Sequence, residues 1–134
     1  MPSAPGISDR GLLDTSVFIA RESGRPLGSL PATAAISVVT VAELHLGVLM
    51  ADRPGVRMRR LRTLTAAQNL FEALPVDSEV ARAFAELVAE ARRMGKRPKI
   101  MDTWIAATAV AHGLPIYTQD DDFSAIPQVQ VFRI

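Results

Sequence analysis

Short apolar runs bounded by Gly, Pro or Asp alternate with longer stretches of helical periodicity from Gly11 to the end of the chain. That alternation confines the chain to an α/β fold with a mostly parallel central sheet, because parallel strands need a crossover between them and a helix usually supplies it. Residues 11–14 read as a strand and 16–22 as the helix after it. The stretch 24–31, with two Gly and two Pro, reads as a loop. A strand over 34–38 and a helix over 40–50 follow; Pro54-Gly55 then breaks the chain before a basic helix that runs to about Leu70. Residues 73–76 form a further candidate strand. Asp77 caps a long amphipathic helix over 78–94, which Gly95 stops. An alanine-rich helix spans 102–112 and ends at Gly113, and strands over 115–118 and 129–132 complete the pattern.

At 134 residues the chain has the size of one domain, and 49% apolar residues suffice for one core. We read residues 1–134 as a single domain with 1–9 as a flexible tail. There is no cysteine, which excludes disulfide scaffolds, Cys-ligated zinc, iron–sulfur clusters and cysteine nucleophiles. The two histidines, His45 and His112, are too few for a histidine-rich metal site. The start of the chain lacks a basic segment followed by an apolar one, and no apolar run approaches the ~20 residues of a membrane span, so the expected location is the cytoplasm.

A net charge of +1 conceals an uneven distribution. One basic block holds Arg53, Arg57, Arg59, Arg60 and Arg62; a second holds Arg92, Arg93, Lys96, Arg97 and Lys99. Near the end, Asp120, Asp121 and Asp122 form an acidic knot. Such blocks are either solvated helix faces or contacts for a polyanion.

Three or four acids stand at the ends of separate elements, where open α/β sheets build their sites. Asp14 follows the first strand and is either the cap of the next helix or a ligand. Glu43 has two readings. Thr40-Val41-Ala42-Glu43 fits a capping box, while Glu43 also shares a helix face with Leu46, Gly47 and Met50, where a carboxylate is costly unless paired. Asp102 suits the positive end of its helix, and the small Ala106 and Ala109 on its face also allow it to meet a neighbouring element. Asp120–Asp122 make either a solvated turn or, with a cation present, part of a site. Carboxylates without His or Cys suit Mg²⁺ or Mn²⁺, ions used in phosphoryl and phosphodiester transfer. No P-loop, G-x-G-x-x-G or G-x-S-x-G motif offers a competing chemistry.

Taken together, these blocks resemble the PIN-domain family, and within it the VapC toxins of bacterial VapBC toxin–antitoxin pairs. The resemblance rests on Leu12-Leu13-Asp14-Thr15-Ser16-Val17-Phe18-Ile19, on Ser37 to Leu44 with Gly47, on Asp102-Thr103-Trp104-Ile105-Ala106-Ala107-Thr108-Ala109, on Gly113-Leu114-Pro115, and on Thr118-Gln119-Asp120-Asp121-Asp122-Phe123. It spans nearly the whole chain from Gly11 and implies a PIN-like three-layer fold. It also implies a metal-dependent endoribonuclease in which Asp14, Glu43, Asp102 and Asp120 are the catalytic and metal-holding acids. Ser16, Thr118 and Asp122 are supporting residues, with Phe123 packing Asp122 into the fold. Gln119 departs from the pattern, since many relatives carry Arg there.

The activity implied is hydrolysis of RNA phosphodiester bonds by water activated at Mg²⁺ or Mn²⁺, leaving 5′-phosphate and 3′-hydroxyl ends and inhibiting translation and growth. If a side chain assists as base, Glu43 is the candidate, since an apolar face raises its pKa. Arg93, Lys96, Arg97 and Lys99, next to Asp102, are the expected RNA-binding residues, with Arg59, Arg60 and Arg62 as a second set. Trp104 is either a core residue or a platform for a base. The implied partners are a VapB-type antitoxin, which neutralises the enzyme by covering the acids, and a second copy of the chain. A homodimer, and a heterotetramer or larger assembly with antitoxin, are expected. A PIN-like module that binds without cutting is the main rival, and the presence of all four acids speaks against it. A haloacid-dehalogenase-type phosphatase needs a second Asp where Ser16 stands, and a receiver domain needs paired acids that are absent.

Overall fold

The computed structural model describes residues 9–134. Strands β1 (Arg10–Leu13), β2 (Thr33–Ser37), β3 (Glu72–Leu74), β4 (Ile116–Thr118) and β5 (Val131–Arg133) form one sheet, ordered β3-β2-β1-β4-β5, and every pairing is parallel. The helices are α1 (Thr15–Glu22), α2 (Val38–Leu49), α3 (Pro54–Leu70), α4 (Ser78–Arg93) and α5 (Ile100–Ala111). Of the expected tail over 1–9, only Asp9 lies among the described residues, and its carbonyl accepts the Thr33 N–H at 2.8 Å.

Side chains alternate between the faces of a strand, so each strand feeds two cores. Leu12 of β1 and Ile116 of β4 enter one apolar cluster with Val80, Ala83 and Leu87 of α4 and Ile105, Ala106 and Ala109 of α5. Leu13 and Tyr117, their chain neighbours, enter the other with Phe18 of α1, Leu44 of α2, and Leu64 and Ala67 of α3. The result is the expected three-layer fold with helices on both faces. Alanine in α5 lets that helix lie close to the sheet. Trp104 is partly buried, packs against the first cluster and stacks on Phe84, with ring centroids 3.7 Å apart and planes 10° from parallel.

Several boundaries differ from the sequence reading. The second helix starts at Val38 because the Ser37 hydroxyl accepts the Val39 N–H at 3.0 Å. Ser37 is therefore the cap, and the capping box of Thr40 with Glu43 does not form. α5 begins at Ile100, two residues before Asp102, and β3 covers Glu72–Leu74 rather than 73–76. β5 likewise covers Val131–Arg133 rather than 129–132. Asp77 does cap α4, accepting the Val80 N–H at 3.0 Å. Among the described residues, no helix is long and apolar enough to cross a membrane.

The strand order positions the site. From β1 the chain winds to β2 and β3 on one side, then returns to place β4 and β5 on the other. Connections leave the carboxyl ends of β1 and β4 in opposite directions, which opens a crevice between them.

Candidate active site

Asp14 sits at that crevice, immediately after β1, and is only 2% exposed. It is both helix cap and cleft residue. Its Oδ2 accepts the Ser16 N–H at 3.4 Å, the Ser16 hydroxyl at 2.7 Å and the Thr118 hydroxyl at 2.9 Å. All three bonds fall on one oxygen, which leaves Oδ1 available to a further partner.

Ser16 and Thr118 lock the two strand ends together. Their hydroxyl oxygens are 3.1 Å apart. Ser16 Oγ accepts the Gln119 N–H and Thr118 Oγ1 accepts the Asp120 N–H, both at 3.0 Å. Each hydroxyl thus orients Asp14 and also satisfies the backbone that carries Asp120, a form of support typical of metal-holding carboxylates.

Glu43 approaches from the facing helix α2. Thr15 Oγ1 donates to Glu43 Oε1 at 2.7 Å and lies 2.9 Å from the Thr40 hydroxyl. Burial raises the Glu43 pKa and the Asp14 charge adds to the rise, while the Thr15 bond opposes it. The rise expected from an apolar face is therefore present, though the face includes a hydroxyl.

Asp102, in the first turn of α5, lines the same cleft. Its carboxyl pKa is raised from 3.8 to about 6, first by burial and then by the charges of Asp14, Asp122 and Glu43. Asp102 Oδ2 is buried with no hydrogen-bond partner. Buried polar atoms are nearly always satisfied, so an orphaned carboxylate oxygen among other acids calls for a cation.

The acidic knot divides. Asp120 and Asp122 line the cleft, whereas Asp121 turns outward to pair with Arg133. Phe123, at 2% exposure, anchors the turn in the core. The Asp120 pKa is also raised, by burial first and then by Asp14 and Asp122. In all, a cleft of about 350 Å³ carries five carboxylates, Asp14, Glu43, Asp102, Asp120 and Asp122, against two cations, Arg25 and Lys99.

The basic residues separate similarly. Lys99 reaches the cleft and bonds Asp122 Oδ2 at 3.1 Å. Lys96 and Arg97 line a neighbouring surface pocket with Arg92, and Arg93 is exposed on the last turn of α4. In the other block, Arg59 pairs with Glu22 at 3.7 Å, and Arg60 donates to the Gly47 carbonyl at 2.7 Å, while Arg53, Arg57, Arg59 and Arg62 are exposed. Gln119 turns its amide away from the acids, to the carbonyls of Pro26 and Ile134. Sequence patterning does not single out Thr15 or Arg25 as cleft residues. Thr15 adjoins Asp14 in the motif itself, a usable signal, but Arg25 lies outside both basic blocks and has none.

Donor chemistry fits Mg²⁺ or Mn²⁺: the acids supply hard oxygens, and neither histidine lines the cleft. Among the described residues, no three His, Asp or Glu side chains converge tightly enough to enclose an ion alone.

Comparison with known proteins gives concordant results. The profile described as PIN domain matches residues 11–129. Ribonuclease VapC5 of Mycobacterium tuberculosis is 46% identical over 129 residues, covering 92% of this chain and 95% of that protein. Ribonuclease VapC4 of the same organism is 49% identical over 127 residues, covering 93% and 97%. The crystal structure of VapBC-5 from M. tuberculosis, a member of the VapBC family of toxin–antitoxin systems, superposes with a TM-score of 0.80 at 43% identity, covering 94% of this chain and 98% of that one.

Proposed function

This chain belongs to the PIN-domain family, among the VapC ribonucleases, and from that premise we propose that it is a Mg²⁺- or Mn²⁺-dependent endoribonuclease, the toxin of a VapBC pair. The observation that carries the metal reading is the orphaned Asp102 Oδ2 within a wall of carboxylates at the switch point of the sheet. Asp14, Glu43, Asp102 and Asp120 would hold the ion, with Asp122 in support. When bound, a divalent ion supplies Lewis-acid activation of water and neutralises charge developing on the phosphate.

The chain's own residues set up that chemistry. Ser16 and Thr118 aim Asp14 by engaging one of its oxygens. Thr15, next to Asp14 in the chain, holds Glu43 through its hydroxyl. The raised Glu43 pKa brings it nearer the range useful for accepting a proton from attacking water. Lys99, at the rim, and Lys96 and Arg97, in the pocket beside it, are suited to RNA phosphates, and exposed Arg93 extends the charge. The expected products carry 5′-phosphate and 3′-hydroxyl ends, and the expected consequence in a cell is arrested translation and growth.

A VapB-type antitoxin is the proposed partner, in a heterotetramer or larger assembly built on a homodimer of this chain. An apolar groove of about 480 Å³, lined by Leu44, Leu46 and Met50, shares Thr15, Ile19, Glu43 and Met101 with the acidic cleft. An inhibitory segment lying there with a basic side chain among the acids would exclude both metal and RNA.

The test is cleavage of total bacterial RNA by the antitoxin-free chain with Mg²⁺ or Mn²⁺, with EDTA, and with Asp102→Asn. Discrete cuts with 5′-phosphates, lost in EDTA and in the variant, are expected. Cutting that survives both treatments would overturn the metal reading, and metal binding without any cutting would favour the binding module.

A further inference from the structure

Resting on that reading, we propose that Arg25 is a substrate-contacting residue, a guanidinium placed at the acidic cleft to bind an RNA backbone phosphate. The cleft presents five carboxylates to a polyanion, so its cations matter to binding out of proportion to their number. Lys99 is already engaged by Asp122 at 3.1 Å. Arg25 is the other cation of the cleft, and among the described residues it forms no ion pair and no side-chain hydrogen bond. Its side chain is exposed, which leaves its donors available.

The backbone beneath it is held from two sides. Helix α1 ends in a Schellman turn: the Arg25 N–H bonds the Ala20 carbonyl at 2.9 Å and the Gly24 N–H bonds the Arg21 carbonyl at 3.2 Å. Gly24 has φ +75°, the left-handed conformation that turn requires. Pro26 follows directly, and its carbonyl accepts Gln119 Nε2 at 3.4 Å, which ties the loop to the segment carrying Asp120. Pro26 restricts the backbone of Arg25 as well. A planar five-donor fork on a fixed backbone, unpaired beside a phosphodiesterase cleft, has the form used for bidentate phosphate contacts.

The experiment compares Arg25→Ala and Arg25→Lys with the intact chain, using a single-stranded RNA that the intact chain cuts, in Mn²⁺. Cleavage is read as kcat and KM, and RNA binding is read against salt in an Asp14→Asn background. Arg25→Ala is expected to lower kcat/KM by roughly 10–100-fold, the loss of one charge-assisted contact. It should also flatten the slope of log K against log salt by about 0.7, the signature of one lost phosphate contact on a single strand. Arg25→Lys should keep the slope and recover only part of kcat/KM. The melting temperature and Mn²⁺ affinity of both variants should not fall. An unchanged salt slope, or kcat/KM within twofold in Arg25→Ala, overturns this inference while the ribonuclease reading stands. If the intact chain neither binds nor cuts RNA in metal, the functional reading fails, and this inference with it.

Discussion

The Thr118 hydroxyl donates a 2.9 Å hydrogen bond to Asp14 Oδ2 across 104 positions of sequence. That contact joins the carboxyl ends of β1 and β4, and the Asp120 N–H joins it from the other side at 3.0 Å. One buried hydroxyl therefore sets the orientation of one acid and the backbone of another.

Replacing Thr118 by Val keeps the shape and removes both functions. The buried Asp14 loses a donor and the Asp120 N–H loses an acceptor. Outer-shell losses of this kind typically cost about 10–100-fold in metal affinity, and the orphaned groups about 1–3 kcal/mol in stability. Calorimetric titration with Mn²⁺ and thermal melting of metal-free Thr118→Val check both. Affinity within twofold of the parent would remove Thr118 from the support of Asp14.

Thr15→Val should move the Glu43 carboxyl further upward, because the Thr15 bond is what restrains the rise caused by burial. A carbon-detected NMR titration of the metal-free chain reads the change. A downward or absent change would mean that Thr15 does not donate to the ionised Glu43.

Metal-free protein should show a pH signature from Asp102. With its carboxyl at about 6 rather than 3.8, the folded chain holds that proton more tightly than the unfolded chain does. The resulting stability is fully present below the unfolded value and is lost as pH rises through the folded one. Metal-free Asp102→Asn should therefore melt higher than the parent at about pH 7, with the gap closing toward about pH 4. Mn²⁺ should reverse the order at neutral pH, because it binds the ionised parent better. A gap that does not vary with pH would contradict the assignment.

Gly11→Ala tests the sheet without touching the acids. A Cβ there would lie 2.5 Å from a ring carbon of Tyr117, which is buried and packed on Phe132. The ring has little freedom to move, so overpacking should cost about 1–3 kcal/mol. Urea unfolding checks this, and an unchanged midpoint would show that the ring can yield.

Legibility in the sequence followed the range of the interaction. Asp77 capping α4 is a contact over three residues, and its residue type alone pointed to it. The capping box at Thr40 and Glu43 failed on the same local logic, since Ser37 and Thr40 are both competent caps. The choice fell to Ser37, with Thr40 buried inside α2. Local sequence rules leave Asp14 as either cap or ligand; its place as cap and cleft acid together depends on Thr118, which no local rule links to it.

By itself, then, the sequence determined the alternation of strands and helices and the position of an acid at the end of each of several elements. Both follow from periodicity and capping, which act over a few residues. The tertiary structure alone decided which acids meet. β1 lies between β2 and β4, and this brings Asp14, Glu43, Asp102 and Asp120 around one cleft, while Asp121, adjacent to two acids of the cleft, turns away to Arg133. It likewise put Arg25 at the cleft and directed Arg59 and Arg60 to Glu22 and Gly47. Those outcomes depend on strand order and helix packing between residues distant in sequence, which local patterning does not specify.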